Sequence, residues 1–320
     1  MKPQESIPVR VTRIEAVTPL VKRFTLCHAD GEDLPAFSGG SHIVVEMQGE
    51  DRLHRNPYSL MSSPWETGQY QIGVRRVDEG RGGSRFMHEQ VKEGSLLRVR
   101  APVNLFPLLK TRRKHILIAG GIGITPFFSQ LAELQRLGTP YELHYAVRSQ
   151  EHAGFAAELL RLAGERLHLY VEDAGQPLHF AKVLASQPLG TDVYVCGPAG
   201  MIEAVRQAAR AAGWPDSHVH WEQFLAPPAG APFEAVLARS GITVQVGAET
   251  SLLEAIEAAG VKASYLCRGG ACGQCELEVL EHDGELVHHD HYLSIEERAS
   301  GRKLMPCVSR ANCQRLVLAI

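Results

Sequence analysis

The pattern of hydrophobic and polar positions divides the chain into three regions. In the first, residues 9–103 form short alternating or β-branched runs, broken by turn signals such as Gly39-Gly40 and Glu93-Gly94. Alternation with period two places the apolar side chains on one face of a strand. The first region is therefore predicted to be an antiparallel β-barrel.

The second region repeats a strand, a glycine turn and a helix. A hydrophobic run at residues 115–119 is followed by the turn Gly120-Gly121-Ile122-Gly123 and by an apolar stretch of helical period at residues 127–137. Further strands are predicted at residues 141–147, 167–171 and 192–196, with helical stretches between them. This order predicts an α/β domain with a parallel sheet.

A change of composition separates the third region from the second. Residues 226–232 read Ala-Pro-Pro-Ala-Gly-Ala-Pro, a composition that is poor at joining a core and typical of a linker. We therefore predict a barrel domain at residues 1–109, an α/β domain at 110–226, a linker at 227–234 and a C-terminal domain at 235–320.

The composition is that of a globular protein with more than one core. The chain has 320 residues, of which 44% are hydrophobic and 22% are charged, and a chain of this length is expected to form two or three domains. A net charge of −3 offers no basic field for nucleic acid. Because no apolar segment reaches the roughly 20 residues that span a bilayer, and no signal peptide is recognisable, we expect a cytoplasmic protein without a membrane partner.

Four cysteines of the third region carry the clearest chemical signal. Cys267, Cys272 and Cys275 have the spacing C-x4-C-x2-C, and Cys307 follows farther along the chain. This is the ligand spacing of a plant-type [2Fe–2S] cluster, which carries one electron. Glycines between the cysteines let backbone N–H groups approach the sulfur atoms. A structural zinc site with paired C-x2-C motifs, or a disulfide scaffold, fits this spacing less well.

The third region also contains the histidine-rich tract His288-His289-Asp290-His291. Such a tract can indicate metal binding. Because it lies in a polar stretch between predicted strands, we expect a solvated loop instead.

Two glycine turns of the α/β region are candidates for contact with a ligand. Gly121 and Gly123 belong to the first turn, and Cys196-Gly197-Pro198 ends a strand and begins a helix. Turns at the carboxyl ends of parallel strands border a crevice, where free N–H groups can meet a phosphate or a nicotinamide. The first turn lacks the third spaced glycine of the dinucleotide pattern, so both turns could also be simple connectors.

A third group of residues lies in the barrel region. The segment Arg55-Asn56-Pro57-Tyr58-Ser59 is followed by Ile72-Gly73-Val74 and then by Arg81-Gly82-Gly83-Ser84 at the start of a helical stretch. The glycine turn offers N–H groups and a hydroxyl, and the arginines offer positive charge, so the group could bind a flavin phosphate. Tyr58 could supply an aromatic face for the ring. The alternative is a basic turn exposed to solvent.

Together, these regions and motifs resemble the phthalate dioxygenase reductase family, the NADH-dependent reductases that serve Rieske-type oxygenases. The resemblance covers nearly the whole chain, with the flavin-type barrel, the Gly-Gly-x-Gly-x-Thr-Pro and Cys-Gly-Pro turns and the C-terminal cysteines in the order of the family. Within the family, the chain is similar to reductases of carnitine-, phenoxybenzoate- and vanillate-type oxygenases. The resemblance implies a ferredoxin-like β-grasp fold for the third region.

The resemblance also implies roles for individual residues. Tyr58 and Ser59 would lie against the flavin ring, and Ile72 and Val74 would contact it through their backbones. Phe224 would shield the flavin, although it could also be a core aromatic residue at the end of a strand. The residues flanking the nicotinamide would be Thr125 and Cys196.

The chain departs from the family at one flavin position. The family pattern R-x-Y-S places an arginine two residues before the tyrosine, where this sequence has Asn56, and Arg55 lies one residue earlier. Either the Asn56-Pro57 segment still lets Arg55 reach the flavin phosphate, or the phosphate depends on Arg81 and Ser84. The sequence leaves both alternatives open.

The expected cofactors follow from the same resemblance. FMN is expected rather than FAD, because the Gly82-Gly83-Ser84 turn suits one terminal phosphate. NADH is expected as the reductant, although Arg148 follows a strand at a position where it could accommodate the 2′-phosphate of NADPH.

A function follows from the electron count. A nicotinamide gives two electrons as hydride, the cluster accepts one, and a flavin can convert between the two. We therefore expect a reductase component that passes single electrons to a terminal Rieske-type oxygenase, with no catalytic acid or base. The alternative is an electron-transfer subunit that depends on another chain for its reductant or acceptor.

Overall fold

The computed structural model describes residues 6–49, 53–224 and 229–320. The chain forms two compact units, one within residues 1–224 and the other within residues 225–320. Residues 227 and 228 of the predicted linker lie outside the described residues. Within the described ranges, no helix is both long enough and apolar enough to cross a membrane.

The first part of unit 1 is an antiparallel barrel. Its sheet has the strand order β4-β3-β6-β1-β2-β5, with β7 paired to β3. A bridge between Leu60 and Ile72 joins the two ends of this order and closes the barrel. The elements are β1 (Ile7–Thr18), β2 (Val21–His28), β3 (Ser41–Gln48), β4 (Leu53–Ser59), β5 (Tyr70–Arg75), α1 (Gly83–Glu89), β6 (Leu96–Val99) and β7 (Val103–Asn104).

The barrel forms because alternate side chains of its strands are apolar. On β3, Ile43, Val45 and Met47 are fully buried in the barrel core. Pro57 lies in β4, which pairs among the described residues with β3 alone, and a proline is tolerated there because it does not need to donate to a second strand. The predicted antiparallel barrel is confirmed.

The second part of unit 1 is a parallel sheet with helices. Its strand order is β10-β9-β8-β11-β12, and every neighbouring pair is parallel. The order reverses between β8 and β11, so this is where a crevice opens at the carboxyl ends of the strands. The elements are β8 (Lys114–Gly120), α2 (Thr125–Leu137), β9 (Tyr141–Val147), α3 (Ala156–Ala163), β10 (Leu167–Val171), α4 (Phe180–Leu184), β11 (Thr191–Cys196), α5 (Ala199–Ala211) and β12 (Val219–Glu222).

Residues on both faces of the central strand are buried. In β8, Ile116, Leu117, Ile118 and Ala119 are all fully buried, and they contribute alternately to two hydrophobic clusters. A continuous apolar run of this kind is expected for a parallel strand covered on both faces. The predicted α/β domain with a parallel sheet is confirmed.

Unit 2 has a mixed five-stranded sheet with the order β14-β13-β19-β15-β17, and a separate pair of strands, β16 and β18. The β13–β19 pair is parallel. Its elements are β13 (Phe233–Leu237), β14 (Ile242–Val246), α6 (Leu252–Ala258), β15 (Leu277–His282), β16 (Glu285–Val287), α7 (Ile295–Ala299), β17 (Lys303–Leu304), β18 (Arg310–Asn312) and β19 (Arg315–Leu318).

Candidate electron-transfer sites

Strand β4 places the candidate flavin residues on two opposite faces. Asn56 pairs with Val45 and Tyr58 pairs with Ile43, whereas Arg55 pairs with Glu46. Because directly opposed residues of an antiparallel pair point to the same side, Asn56 and Tyr58 share one face. Arg55 lies on the other face.

Arg55 and Arg100 both contact the buried carboxylate of Glu46. Arg55 Nε lies 3.4 Å from Glu46 Oε1, and Arg100 Nη2 lies 2.7 Å from the same oxygen. Burial alone would raise the pKa of Glu46, but the two arginines outweigh this effect and lower it. The carboxylate is therefore charged at neutral pH and binds Arg55 on the face away from Tyr58.

Asn56 touches the glycine turn that precedes α1. A Cβ atom added at Gly83 would lie 2.5 Å from Asn56 Oδ1, so only glycine leaves room for this amide. Gly82 has a φ of 89°, a conformation that favours glycine. Arg81 and Ser84 are partly buried on either side, and the Ser84 hydroxyl accepts the N–H of Val77 at 3.1 Å.

Two hydroxyl side chains follow on the same strand. Burial raises the pKa of Tyr58, and the adjacent Asn56 amide opposes this shift. Ser59 is buried, and its Oγ has no hydrogen-bond partner among the described residues. A buried hydroxyl without a partner is costly, so this position suits a ligand that hydrogen-bonds to Ser59.

Strand β5 brings the barrel into contact with the glycine turn of the parallel sheet. The side chains of Ile72 and Val74 are fully buried in the barrel core. Between them, a Cβ atom added at Gly73 would lie 2.8 Å from Thr125 Cγ2 and 3.0 Å from Met61 Sδ. The structure therefore brings the backbone of β5 and Thr125 together, and the Thr125 hydroxyl donates to the Ile122 carbonyl at 3.0 Å.

The two glycine turns of the parallel sheet pack directly on each other. A Cβ atom added at Gly123 would lie 2.2 Å from the Cys196 carbonyl oxygen, and one added at Gly197 would lie 3.2 Å from the Gly120 Cα. Gly121 has a φ of 54°. Because the turns follow the adjacent strands β8 and β11, they meet where the strand order reverses.

Cys196 is fully buried beneath this contact. Burial is the main effect that raises the pKa of its thiol well above the usual range, and Glu222 adds to the shift. The thiol is therefore protonated at neutral pH.

A cavity of about 560 Å³ opens beside the two turns. A cavity of this size can hold part of a dinucleotide. Phe224, which is 47% exposed, is not among the residues that line it. Residues from both turns and from the strand ends line the cavity, among them Arg75, Gly120, Gly121, Arg148, Tyr170, Pro198 and Met201.

The four candidate cluster ligands of unit 2 form two close pairs. Cys275 Sγ lies 3.3 Å from Cys307 Sγ. A hydrogen bond from Cys272 is the main effect that lowers the pKa of Cys267 to about 5. A hydrogen bond with Cys307 likewise lowers the pKa of Cys275. Two pairs of thiols of this kind suit a cluster of two iron atoms with two cysteine ligands each.

The loop between the cysteines has the backbone that such a cage requires. Gly270 and Gly273 both have a φ of 73°, and Arg268 has a φ of 52°. A Cβ atom added at Gly273 would lie 2.3 Å from the Tyr292 ring. The Gly269 N–H donates to Cys267 Sγ at 3.3 Å, so the loop directs a backbone donor at the sulfur of a candidate ligand.

Arg268 anchors this loop, a role that the sequence did not reveal. It is 7% exposed, forms an ion pair with Glu257 and lies 4.1 Å from the Tyr265 ring centroid. A positive φ in a residue other than glycine, together with burial of its charge, is strained. The ion pair and the aromatic contact offset this cost.

The histidine-rich tract is a loop, as we expected, but only His291 of its four residues is exposed. Asp290 is 2% exposed and lies against Gly270 of the cluster loop. Burial would raise the pKa of Asp290, but His288, the Leu293 N–H and Arg298 outweigh burial and lower the pKa to about 2. The expectation of a solvated loop was therefore wrong for Asp290, whose carboxylate accepts hydrogen bonds from Tyr292, Leu293 and Ser309 instead of facing solvent.

The chain matches three protein families in succession. Residues 8–107 match the oxidoreductase FAD-binding domain, residues 100–219 match the N-terminal domain of dimethylamine monooxygenase subunit DmmA-like proteins, and residues 236–312 match the 2Fe-2S iron-sulfur cluster binding domain. These features define an oxidoreductase with a flavin-binding domain and a [2Fe–2S] domain.

Similarity also extends over the full length of known proteins. The carnitine monooxygenase reductase subunit of Acinetobacter baumannii is 48% identical over 98% of both chains. The heme-dependent oxidative N-demethylase beta subunit of Ectopseudomonas mendocina is 46% identical over 95% of this chain and 96% of that one. The solved structure of phthalate dioxygenase reductase matches with a TM-score of 0.87 and 32% identity, covering 98% of both chains. This chain belongs to the phthalate dioxygenase reductase family, and it is a reductase component of an oxygenase system.

Proposed function

We propose that this chain oxidises NADH, binds FMN and passes single electrons through its [2Fe–2S] cluster to a terminal Rieske-type oxygenase. The proposal depends mainly on one observation: two close cysteine pairs occur in the same chain as a cavity bordered by two packed glycine turns. One chain thus contains both the entry site for a hydride donor and a site for a one-electron carrier. It needs no second chain for its reductant.

The FMN phosphate would bind at the turn beside β4. The Asn56 amide contacts Gly83 there, and the N–H groups of Gly82-Gly83-Ser84 with the charge of Arg81 would complete the site. Arg55 forms an ion pair with Glu46 on the opposite face of β4. We therefore assign the phosphate-binding role that was expected of Arg55 to Asn56 and Arg81. Pro57, opposite Val44, is exposed on the same face of β4 as Arg55.

The flavin ring would lie along Tyr58 and Ser59, with Ser59 Oγ as a hydrogen-bond partner and the backbones of Ile72 and Val74 at its edge. The close approach of Gly73 and Thr125 would bring the nicotinamide side of the site next to this ring. Phe224 keeps its proposed role as a shield of the flavin.

The nicotinamide nucleotide would enter the cavity between the two glycine turns. Backbone N–H groups of Gly121, Gly123 and Gly197 would contact it. Side chains at Gly123 and Gly197 would collide with the opposite turn, and Gly121 has a positive φ that favours glycine. Cys196 would flank the nicotinamide as a neutral thiol, which neither takes nor gives a proton at neutral pH.

Binding and orientation are the tasks of these residues in the reaction. A bound flavin supplies the chemistry that accepts a hydride and releases electrons one at a time. The chain aligns the donor with the acceptor and excludes water, and such alignment can by itself lower a barrier by about 7–11 kcal/mol. We assign no acid or base.

An anaerobic titration of the purified protein with NADH tests the proposal. Bleaching of the flavin absorbance together with a rhombic electron paramagnetic resonance signal of the reduced cluster is expected. Flavin bleaching without a cluster signal would contradict the relay, and no bleaching would favour a subunit that needs another chain for its reductant. A parallel titration with NADPH tests the choice of nucleotide.

The cofactor itself can be identified after release. Denaturation followed by mass spectrometry of the supernatant should yield FMN. Release of FAD instead would place an adenine nucleotide in the barrel site and reject the assignment of a single terminal phosphate.

A second acceptor is suggested by one relative. The beta subunit named for a heme-dependent oxidative N-demethylase is 46% identical to this chain, so a heme protein is the second candidate for the terminal partner. Stopped-flow reoxidation of the reduced chain by a purified Rieske oxygenase and by a purified heme demethylase would separate the two. The domain limits at residues 109, 226 and 234 and the cytoplasmic location stay predictions.

A further inference from the structure

Three metal-ligating side chains meet on one face of the parallel sheet, apart from the electron-transfer sites. Glu142 and His144 alternate along β9, so they point to the same face. His168 of the neighbouring strand β10 is in register with His144. One ligand atom from each of the three side chains lies within 4.8 Å of the other two.

The orientation of His144 is fixed from both sides of its ring. His144 Nδ1 lies 3.0 Å from the Tyr170 hydroxyl, and His144 Nε2 lies 3.3 Å from Glu142 Oε2. A histidine that binds a metal through one nitrogen usually donates the other N–H to a partner that orients the ring. Tyr170 can accept from Nδ1, which leaves the Nε2 lone pair, in the plane of the ring, directed toward Glu142 Oε2.

The second histidine of the group lies close enough to share a cation. The His144 ring is stacked on that of His168, with centroids 4.7 Å apart. His168 is exposed and can rotate to bring its nitrogen to the distance that a shared cation requires.

Positive charge opposes a cation at this place: Arg166 and Lys114 both line the cavity beside Glu142 and His168. The ammonium of Lys114 lies 2.6 Å from Glu142 Oε1 and 2.9 Å from Gln187 Oε1. The other carboxylate oxygen, Oε2, is the one that faces His144. Lys114 therefore leaves one oxygen for a metal and lowers the affinity through its charge.

We propose that Glu142, His144 and His168 bind a divalent transition-metal ion, with Zn²⁺ as the best fit. Two imidazoles and one carboxylate are ligands that zinc takes at about 2.0–2.2 Å in four-coordinate sites with water in the open position. A cavity of about 590 Å³, lined by Glu142 and His168 among others, gives access from solvent. Such a cation joins the edge strand β10 to β9 through side chains.

Isothermal titration of the holoprotein with Zn²⁺ tests the site. The wild-type chain should bind zinc saturably, and His168→Ala, at an exposed position that should not affect folding, should weaken this binding at least about tenfold. Tyr170→Phe should weaken it as well, because the orienting acceptor is lost. Lys114→Met should strengthen it, because a like charge beside the cation is removed.

His179→Ala is the matched control, since His179 is another exposed histidine of the same unit outside the cluster. This variant should bind zinc as the wild type does. Cluster absorbance, recorded throughout, shows whether zinc displaces iron from the cysteines. Equal zinc binding by the wild type and His168→Ala, or no saturable binding by the wild type at millimolar zinc, would overturn the proposal.

Discussion

At Asn56, a single side chain decides how closely strand β4 and the turn before α1 can approach. The family pattern has arginine at this position, and the neighbouring Arg55 looks like its substitute in the sequence. The register of β3 and β4 separates the two residues, because Arg55 opposes Glu46 and Asn56 opposes Val45. Two adjacent residues thus have unrelated partners.

The contact between Asn56 and Gly83 leads to a prediction about flavin binding. In Gly83→Ala, the new methyl group would overlap Asn56 Oδ1, which lies 2.5 Å from the Cβ position. Overpacking of this kind costs about 1–3 kcal/mol, so we expect flavin to bind roughly tenfold or more weakly. Gly68→Ala, where nothing lies within 4 Å, is the control. Fluorescence titration of the apoprotein with flavin measures both, and equal affinities would exclude the proposed phosphate turn.

At the scale of elements, the close contact of the two glycine turns determines the shape of the crevice in which we propose that the nucleotide binds. Gly123→Ala would place a methyl group 2.2 Å from the Cys196 carbonyl oxygen, so β8 and β11 would have to move apart at their ends. We expect a loss of about 1–3 kcal/mol in stability and a higher KM for NADH. Steady-state ferricyanide reduction and thermal unfolding measure these two effects.

Gly200→Ala is the control for that substitution. Gly200 lies in α5 with nothing within 4 Å of its Cβ position. Alanine is favoured over glycine in a helix by up to about 1 kcal/mol, so this variant should be slightly more stable, with an unchanged KM. A similar rise in the KM for NADH in both variants would mean that the contact between the two glycine turns does not determine nucleotide binding.

The Glu46 ion pairs make the stability of the barrel depend on pH. The pKa of Glu46 in the folded chain lies below the value of 4.5 that applies to the unfolded chain. The carboxylate therefore stabilises the fold above pH 4.5, and this stabilisation is lost as the pH falls further. All three tryptophans, Trp65, Trp214 and Trp221, lie in unit 1, so their fluorescence follows urea unfolding of this unit alone.

Glu46→Gln should lower the stability of unit 1 at pH 7 by roughly 1–3 kcal/mol, because charge-assisted hydrogen bonds are lost. As the pH is lowered below 5, the urea midpoint of this variant should also decrease less than that of the wild type. Glu66→Gln, at an exposed position, is the control. If the urea midpoint of Glu46→Gln depended on pH as strongly as that of the wild type, groups other than Glu46 would control the pH dependence of stability.

At the scale of the whole molecule, the two units have separable tasks. Cys272→Ser should remove one of the proposed ligands of the cluster, so cytochrome c reduction by NADH should fall to background. Reduction of ferricyanide, which accepts electrons directly from flavin, should be largely retained. Cys313→Ser, which changes a cysteine of the same unit outside the proposed ligands, should retain both activities. Loss of both activities in Cys272→Ser with an unchanged circular dichroism spectrum would contradict a serial relay.

The regular elements could largely be predicted from the sequence, because their signals are local. The predicted strands at residues 141–147 and 167–171 coincide with β9 and β10. The sequence did not allow us to predict which side chains meet across the sheet. Nothing in the sequence indicates that Glu142, His144 and His168 meet, since their proximity depends on the parallel register of two strands.

The sequence by itself determined the architecture and the kind of chemistry: hydrophobic periods define strands and helices, and the spacing of the four cysteines defines a cluster site. Only the tertiary structure decided which neighbours act together. It separated Asn56 from Arg55, buried Asp290 against Gly270 and packed Gly123 on Cys196. The physical reason is that spacing along a chain reflects local backbone geometry, whereas burial and pairing depend on strand register and on contacts between distant segments.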